Sequence, residues 1–154
     1  MMSRRYFEDV AVGENGVTEH CEVTEEGVLH FAEQFDPQPF HLDHAAAEAS
    51  LFGRLVGSGW QTVALANRLL MRDALQDLAI AGAAGFDDLR WRSPLYPQDN
   101  IRCRYRVSDS RIAPDSRFGE LELELEVVNQ DDQVVMSATW LPWIARRQDN
   151  SGGT

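Results

Sequence analysis

The spacing of apolar residues along the chain changes from a helical period in the first half to an alternating one in the second. Alternation predicts a first strand over 17–23, and Thr24 with the acidic residues after it is typical of the N-cap of a helix over 24–35. A short alanine-rich helix is expected over 43–50. Apolar residues at helical spacing over 60–80 predict one long, buried central helix.

Alternating apolar and polar residues dominate from residue 85 onward. They predict strands near 85–93, 100–110, 117–129 and 133–145. In the second and third of these strands one face is charged with opposite signs, by Arg102, Arg104, Arg106, Glu120, Glu122, Glu124 and Glu126. The other face is apolar, with Ile101, Cys103, Tyr105, Val107, Leu121, Leu123, Leu125 and Val127. Antiparallel pairing would set opposite charges against each other, whereas the alternative is that the arginines clamp ligand phosphates.

This order of elements predicts an α+β fold in which a curved antiparallel sheet wraps round a long central helix. One domain is expected over residues 1–147, followed by a disordered, glycine-rich tail over 148–154. A single sheet around one helix leaves an edge strand and an incompletely covered face, so a homodimer or higher homo-oligomer is expected.

Composition narrows the possible functions. The net charge of −11 argues against nucleic-acid binding, and the absence of lysine excludes Schiff-base chemistry and a P-loop lysine. No apolar run reaches the length of a membrane span, since Arg68 and Arg72 interrupt the most apolar helix. Cys21 and Cys103 are far apart and form no C-x-x-C pair, which favours reduced thiols and a cytoplasmic location.

The candidate chemistry is concentrated in a short loop with two prolines. Pro37 and Pro39 deny helical geometry to the residues that precede them, and the loop holds the Asp36 carboxylate and the His41 imidazole five positions apart. An imidazole beside a carboxylate is suited to proton transfer near neutral pH. The alternative is a helix-terminating turn in which Asp43 caps the next helix and His41 is incidental.

Two other chemistries fit this region poorly. The residues 41–44, His-Leu-Asp-His, resemble half of the H-x-H-x-D-H metal cluster, but Pro39 stands where its first histidine belongs and no histidine follows downstream. No metal site is therefore predicted. Ser58 lies in Gly57-Ser58-Gly59, which does not fit the G-x-S-x-G nucleophile motif. Gly59 instead directly precedes the predicted central helix, whose first N–H groups could donate to a carbonyl or oxyanion, or whose start could simply be flexible.

Three segments together resemble the MaoC-like dehydratase family, also called the hydratase-2 group, of the hot-dog fold. Residues 36–43 are similar to its D-x-N-P-x-H-x-D motif, 57–60 to the segment before its central helix, and 89–99 to its R-F-x-x-P-V-x-P-G-D strand and turn. The opening residues 6–14 also look like the start of the family. Gln38 stands in place of the usual Asn, Ser58 in place of a frequent His, and Gln98 in place of the usual Gly.

The resemblance implies a hot-dog fold, a dimer and a coenzyme A thioester as ligand, with no cofactor beyond the coenzyme A of the substrate. Asp36 and His41 would match the family's catalytic pair, which holds a water for addition to a trans-2-enoyl thioester. Gly59 would match the backbone donor to the thioester carbonyl, and Ser58 beside it is a predicted oxyanion or substrate-binding residue.

Reversible hydration of a 2-enoyl-CoA is accordingly the leading hypothesis. Negative charge that develops on the thioester oxygen would be stabilised by a preorganised N–H donor. Two alternatives remain open: a hot-dog acyl-CoA thioesterase, which would release a free thiol, and a non-catalytic acyl-CoA-binding subunit, which the changes at Gln38 and Ser58 suggest.

Overall fold

A computed structural model describes residues 2–115 and 117–148 of the chain. Its helices are α1 (Glu25–Phe35), α2 (Pro39–Leu42), α3 (His44–Glu48) and α4 (Gly59–Leu69), the last of which continues in a π-helical turn, Leu70–Ala74. Its strands are β1 (Asn15–Val17), β2 (Cys21–Glu22), β3 (Ile80–Trp91), β4 (Asn100–Ile112), β5 (Phe118–Val128) and β6 (Val134–Ala145). Of the predicted tail, residues 149–154 lie outside the described part.

The strands form one antiparallel sheet in the order β1-β4-β5-β6-β3, with β2 also paired to β4. The apolar faces of β4 and β5 are buried as predicted and join residues of α4 in the core. Ala66 and Leu70 on the helix are 2% exposed. The predicted antiparallel sheet packed on a central helix is confirmed.

The predicted N-cap residues mark the starts of α1 and α3 correctly. The Thr24 hydroxyl accepts a hydrogen bond from the Gly27 N–H, and the Asp43 carboxylate accepts one from the Ala46 N–H. Helix α1 ends at Phe35, before Pro37, as predicted. The proline loop itself is partly helical, because Pro39 begins the four-residue helix α2.

Three predicted elements were wrong in extent, including β3, which begins at Ile80 and not near residue 85. The strand expected over 17–23 is interrupted between β1 and β2, where the Thr18 hydroxyl accepts from the Cys103 N–H. The central helix was expected to reach Ile80, but helical structure ends at Ala74. Leu75, Leu78 and Ala79 are buried although they lie after the helix. Their spacing in the sequence resembles that of a buried helix face, which is why the prediction extended the helix too far.

The charged ladder between β4 and β5 was right in part. Arg104 lies opposite Glu126 and Arg106 opposite Glu124, each within ion-pair distance. Arg102, however, lies opposite Val128 and binds Asp132. A register shift between Val107 and Asp109 then sets Glu122 opposite Asp109 and Glu120 opposite Arg111, because a bulge moves the following pairs by one residue.

Candidate active site

Asp36 lies directly after α1, where the chain leaves the helix. Its N–H still donates to the Ala32 carbonyl, but its backbone has left the helical region, with φ −153° and ψ 69°. The following Pro37 favours this geometry, since the residue before a proline is excluded from the helical region. The Asp36 side chain is 17% exposed.

His41 lies on α2 and is buried, with 5% of the residue exposed. Its Nδ1 is 2.7 Å from the carbonyl oxygen of Val56. A carbonyl only accepts, so Nδ1 carries the proton and the neutral ring has its lone pair on Nε2. Nε2 faces Asp36, at 3.3 Å from Oδ2.

This geometry makes the pair competent for proton transfer. When His41 is neutral, its Nε2 and the Asp36 carboxylate are both hydrogen-bond acceptors. Both can therefore accept a hydrogen bond from a hydroxyl group or a water molecule. When His41 is protonated, its Nε2–H donates to the same carboxylate. The pair can therefore take a proton from one bound group and return it to another.

Two neutral side chains hold the Asp36 carboxylate. The Ser58 hydroxyl donates to Oδ2 at 2.7 Å, and the Gln38 amide donates to Oδ1 at 3.0 Å. Burial raises the pKa of Asp36, but these hydrogen bonds and the nearby His41 lower it by more, so the net pKa lies below its ordinary value. Asp36 is thus held as a carboxylate.

Gly59 is the first residue of α4, beside this pair. No described residue accepts a hydrogen bond from its N–H, whereas the next N–H, that of Trp60, donates to Ser58 Oγ at 3.2 Å. The Trp91 indole packs directly on Gly59, where a Cβ atom would overlap the ring. The helix start therefore offers one unused donor at a position that only glycine fits.

These groups open into one cleft of about 430 Å³. Aromatic and aliphatic side chains form most of its wall: Phe40, Phe52, Val56, Trp60, Trp91, Pro94 and Leu95. The rings form contacts in pairs, with Phe40 packed on both His41 and Phe52, and Trp60 edge-on to Trp91. The cleft thus combines an apolar wall with a few polar groups, as small-molecule sites do.

The residues predicted from the sequence lie together here: Asp36, His41 and Gly59 line the cleft, and Ser58 bonds to Asp36. Sequence reasoning missed the Val56 carbonyl, which accepts from His41, because no side-chain pattern identifies a backbone acceptor. It also missed Phe52 in the cleft wall, because the loop around Phe52 contains no recognisable motif. His44 pairs with Glu25 on the surface instead. The arginines of β4 pair with carboxylates and do not line the cleft.

Two features of the described residues bear on other functions. They hold no group of three or more His, Cys, Asp or Glu side chains arranged to bind a metal ion. Over the same residues, no helix is long and apolar enough to cross a membrane.

The model of the MaoC-like domain matches residues 9–129, which include the whole cleft. The chain belongs to this family. A MaoC-like dehydratase from Rhodospirillum rubrum is 35% identical in sequence and superposes with a TM-score of 0.86 over 94% of this chain and 99% of its own. The predicted family is thereby confirmed.

More distant structures share the fold. An (R)-hydratase from Pseudomonas aeruginosa is 20% identical, with a TM-score of 0.74 over 93% of this MaoC-like chain and 86% of its own. A double-hotdog protein from Mycobacterium tuberculosis is 16% identical, with a TM-score of 0.77 over 97% of this chain and 47% of its own. The hot-dog fold expected from the sequence is confirmed.

Proposed function

We propose that this MaoC-like protein catalyses the reversible hydration of a 2-enoyl thioester to the 3-hydroxyacyl thioester, with coenzyme A as the carrier. The observation that carries the proposal is the Asp36–His41 pair, which shares an apolar cleft with the free N–H of Gly59. Membership of a family whose members include dehydratases supports the same reaction class.

The thioester carbonyl would accept a hydrogen bond from the Gly59 N–H. This donor lies at the start of an eleven-residue helix, so the helix dipole also favours negative charge there. Carbon 3 of the enoyl group would then lie near Asp36 and His41, because the Ser58 hydroxyl links the carboxylate to the same helix start.

Hydration follows from these positions without a cofactor. A water bound between Asp36 and His41 Nε2 loses a proton to the pair as its oxygen bonds to carbon 3. The electrons of the double bond move onto the thioester as an enolate, whose oxygen is bound by the Gly59 N–H. The pair then returns a proton to carbon 2, and dehydration is the reverse. Such proton transfer contributes about 10²- to 10⁴-fold in rate.

The loss of enoyl-thioester absorbance with crotonyl-CoA and with longer and branched enoyl-CoAs tests the proposal, with thiol release followed in parallel. We expect hydration by the native protein and a loss of about 10²-fold or more in Asp36→Asn and in His41→Gln. His44→Gln is the matched control, since His44 lies on the surface against Glu25, outside the cleft. Thiol release without hydration would instead identify a thioesterase, and binding without turnover a non-catalytic subunit.

A homodimer is also proposed. Strand β3 pairs with β6 on one side only, so its other edge is unpaired within the described residues. Phe86 and Trp91 on β3 are 42% and 46% exposed, and Trp60 beside the cleft is 55% exposed. Pairing of β3 with a second copy would cover this apolar edge.

A further inference from the structure

Gln38 is the residue of the proline loop whose side chain the proposed reaction has not used. It lies between Pro37 and Pro39, with φ −84° and ψ 142°. The proline on its C-terminal side keeps it extended, and its own N–H donates to the Asp36 carbonyl at 2.7 Å. The backbone from which its side chain projects is therefore stiff.

The Gln38 amide is oriented by its partner. Nε2 lies 3.0 Å from Asp36 Oδ1, and the nitrogen must face the carboxylate because a carboxylate only accepts. An asparagine on the same backbone would be shorter by one carbon–carbon bond, about 1.5 Å, so we expect its amide to fall short of Oδ1.

The two oxygens of Asp36 are consequently in different situations. Oδ2 accepts from Ser58 at 2.7 Å and faces His41 Nε2 at 3.3 Å. Oδ1 accepts from Gln38 alone among the described residues. A carboxylate oxygen has about two lone-pair sites, so Oδ1 retains one for a further donor.

We propose that Gln38 is a positioning residue, which fixes the plane of the Asp36 carboxylate and leaves one lone pair of Oδ1 to accept the hydrogen of the reacting water. The inference deepens the proposed hydration and rests on it. It also assigns a role to the departure from the asparagine that the family motif usually carries.

Gln38→Met tests the proposal, because methionine keeps the length of the side chain and removes the donor. We expect kcat/KM for the enoyl thioester to fall about tenfold, the effect of one lost hydrogen bond to a charged group. The acidic limb of the pH profile should move to higher pH, since a lost donor to the carboxylate raises its pKa. Among the described residues, His41 is the titratable group that contacts the Asp36 carboxylate, whereas its other two contacts, Ser58 and Gln38, are neutral.

Two further variants sharpen the result. Gln38→Asn should behave like Gln38→Met if the reach to Oδ1 matters, and like the native protein if any amide suffices. Gln38→Glu should move the acidic limb further, because two neighbouring carboxylates raise each other's pKa. Gln34→Met is the matched control, on the exposed surface of α1 away from the cleft.

A second readout separates this inference from the proposed reaction. The pKa of the Asp36 carboxyl group, followed through the ¹³C NMR shift of its carboxyl carbon, should rise in Gln38→Met whether or not a substrate is known. An unchanged Asp36 pKa in that variant would overturn the inference, as would a changed pKa with unchanged kcat/KM. Absence of hydration by the native protein would contradict the proposed function alone, and a raised Asp36 pKa would then support only the contact.

Discussion

At the scale of single residues, the Ser58 hydroxyl does two jobs. It donates to Asp36 Oδ2 and accepts from the Trp60 N–H, so one fully buried group both caps α4 and holds the carboxylate. The hydroxyl that the sequence predicted to bind substrate thus donates to the Asp36 carboxylate of the protein itself. Its removal should alter the stability of the helix and the titration of Asp36 together.

We expect Ser58→Ala to lower the free energy of unfolding at neutral pH by about 1 kcal/mol through loss of the helix cap. Loss of the hydrogen bond to the Asp36 carboxylate should lower it further. The folded-state pKa of Asp36 is lowered, so its contribution to stability is present above the unfolded pKa and is lost as pH falls through the folded pKa. The variant should therefore differ less from the native protein in acid than at neutral pH. Urea unfolding at both pH values measures this, and an equal difference at both would contradict it.

The His41 ring should be a fixed tautomer. Its Nδ1 donates to the Val56 carbonyl, so in the neutral ring the proton should be on Nδ1 and leave Nε2 free. Nitrogen-15 NMR of the imidazoles distinguishes the two tautomers. The exposed His30 serves as the comparison within the same spectrum. A proton found mainly on Nε2 of His41 would be inconsistent with the proposed acceptor of the water proton.

At the scale of elements, local signals predicted which candidate residues lie together better than they predicted element lengths. Asp36 and His41 were found together because two prolines fix their loop, and the start of α4 was found because glycines precede it. The end of α4 was not predictable, since Leu75 and Leu78 are buried outside the helix. The register of β4 on β5 depends on a bulge near Val107, and a bulge leaves no trace in simple alternation.

The link between Ser58 and Asp36 was hidden for a related reason. The two residues are 22 positions apart, and their contact depends on how α1 and α4 approach each other in the fold. The contact of Trp91 on β3 with Gly59 at the start of α4 likewise joins residues far apart in the sequence. Close contacts of this kind arise from tertiary packing, which the chain's local periodicity does not encode.

This contact yields a prediction about the helix start. In Gly59→Ala the new methyl group would overlap the Trp91 indole, so either the ring or the helix start must move. We expect hydration to fall about tenfold or more, because a displaced N–H no longer meets the developing oxyanion. Steady-state kinetics of Gly59→Ala, Trp91→Ala and the double variant measure the effect.

Trp91→Ala supplies the control, because it removes the obstacle. Activity in the double variant should exceed that of Gly59→Ala alone if the overlap is the cause. An equal loss of activity in Gly59→Ala and in the double variant would mean that the alanine methyl group acts on the substrate or on the helix itself.

At the scale of the whole molecule, one edge of β3 pairs with no other described strand, and a single copy leaves this edge unexplained. Sheet edges in monomers are commonly protected by charged residues, but the first half of β3 (80–86) carries none. It exposes alanines and then Phe86, and acidic residues begin only at Asp87. A second copy paired along this edge accounts for that pattern.

Phe86→Asp should therefore convert the proposed dimer into a monomer, because pairing would bring a charge into an apolar interface without a partner. Ile112→Asp is the matched control, since Ile112 is similarly exposed, at 50%, but lies on β4. Sedimentation equilibrium of the native protein and both variants measures the mass in solution. Trp60 and Trp91 line the cleft and are exposed in a single copy. The proposed second copy would cover them, so we also expect loss of the dimer in Phe86→Asp to reduce hydration. A native protein that sediments as a monomer, or a Phe86→Asp variant that remains dimeric, would show that this edge is not the interface.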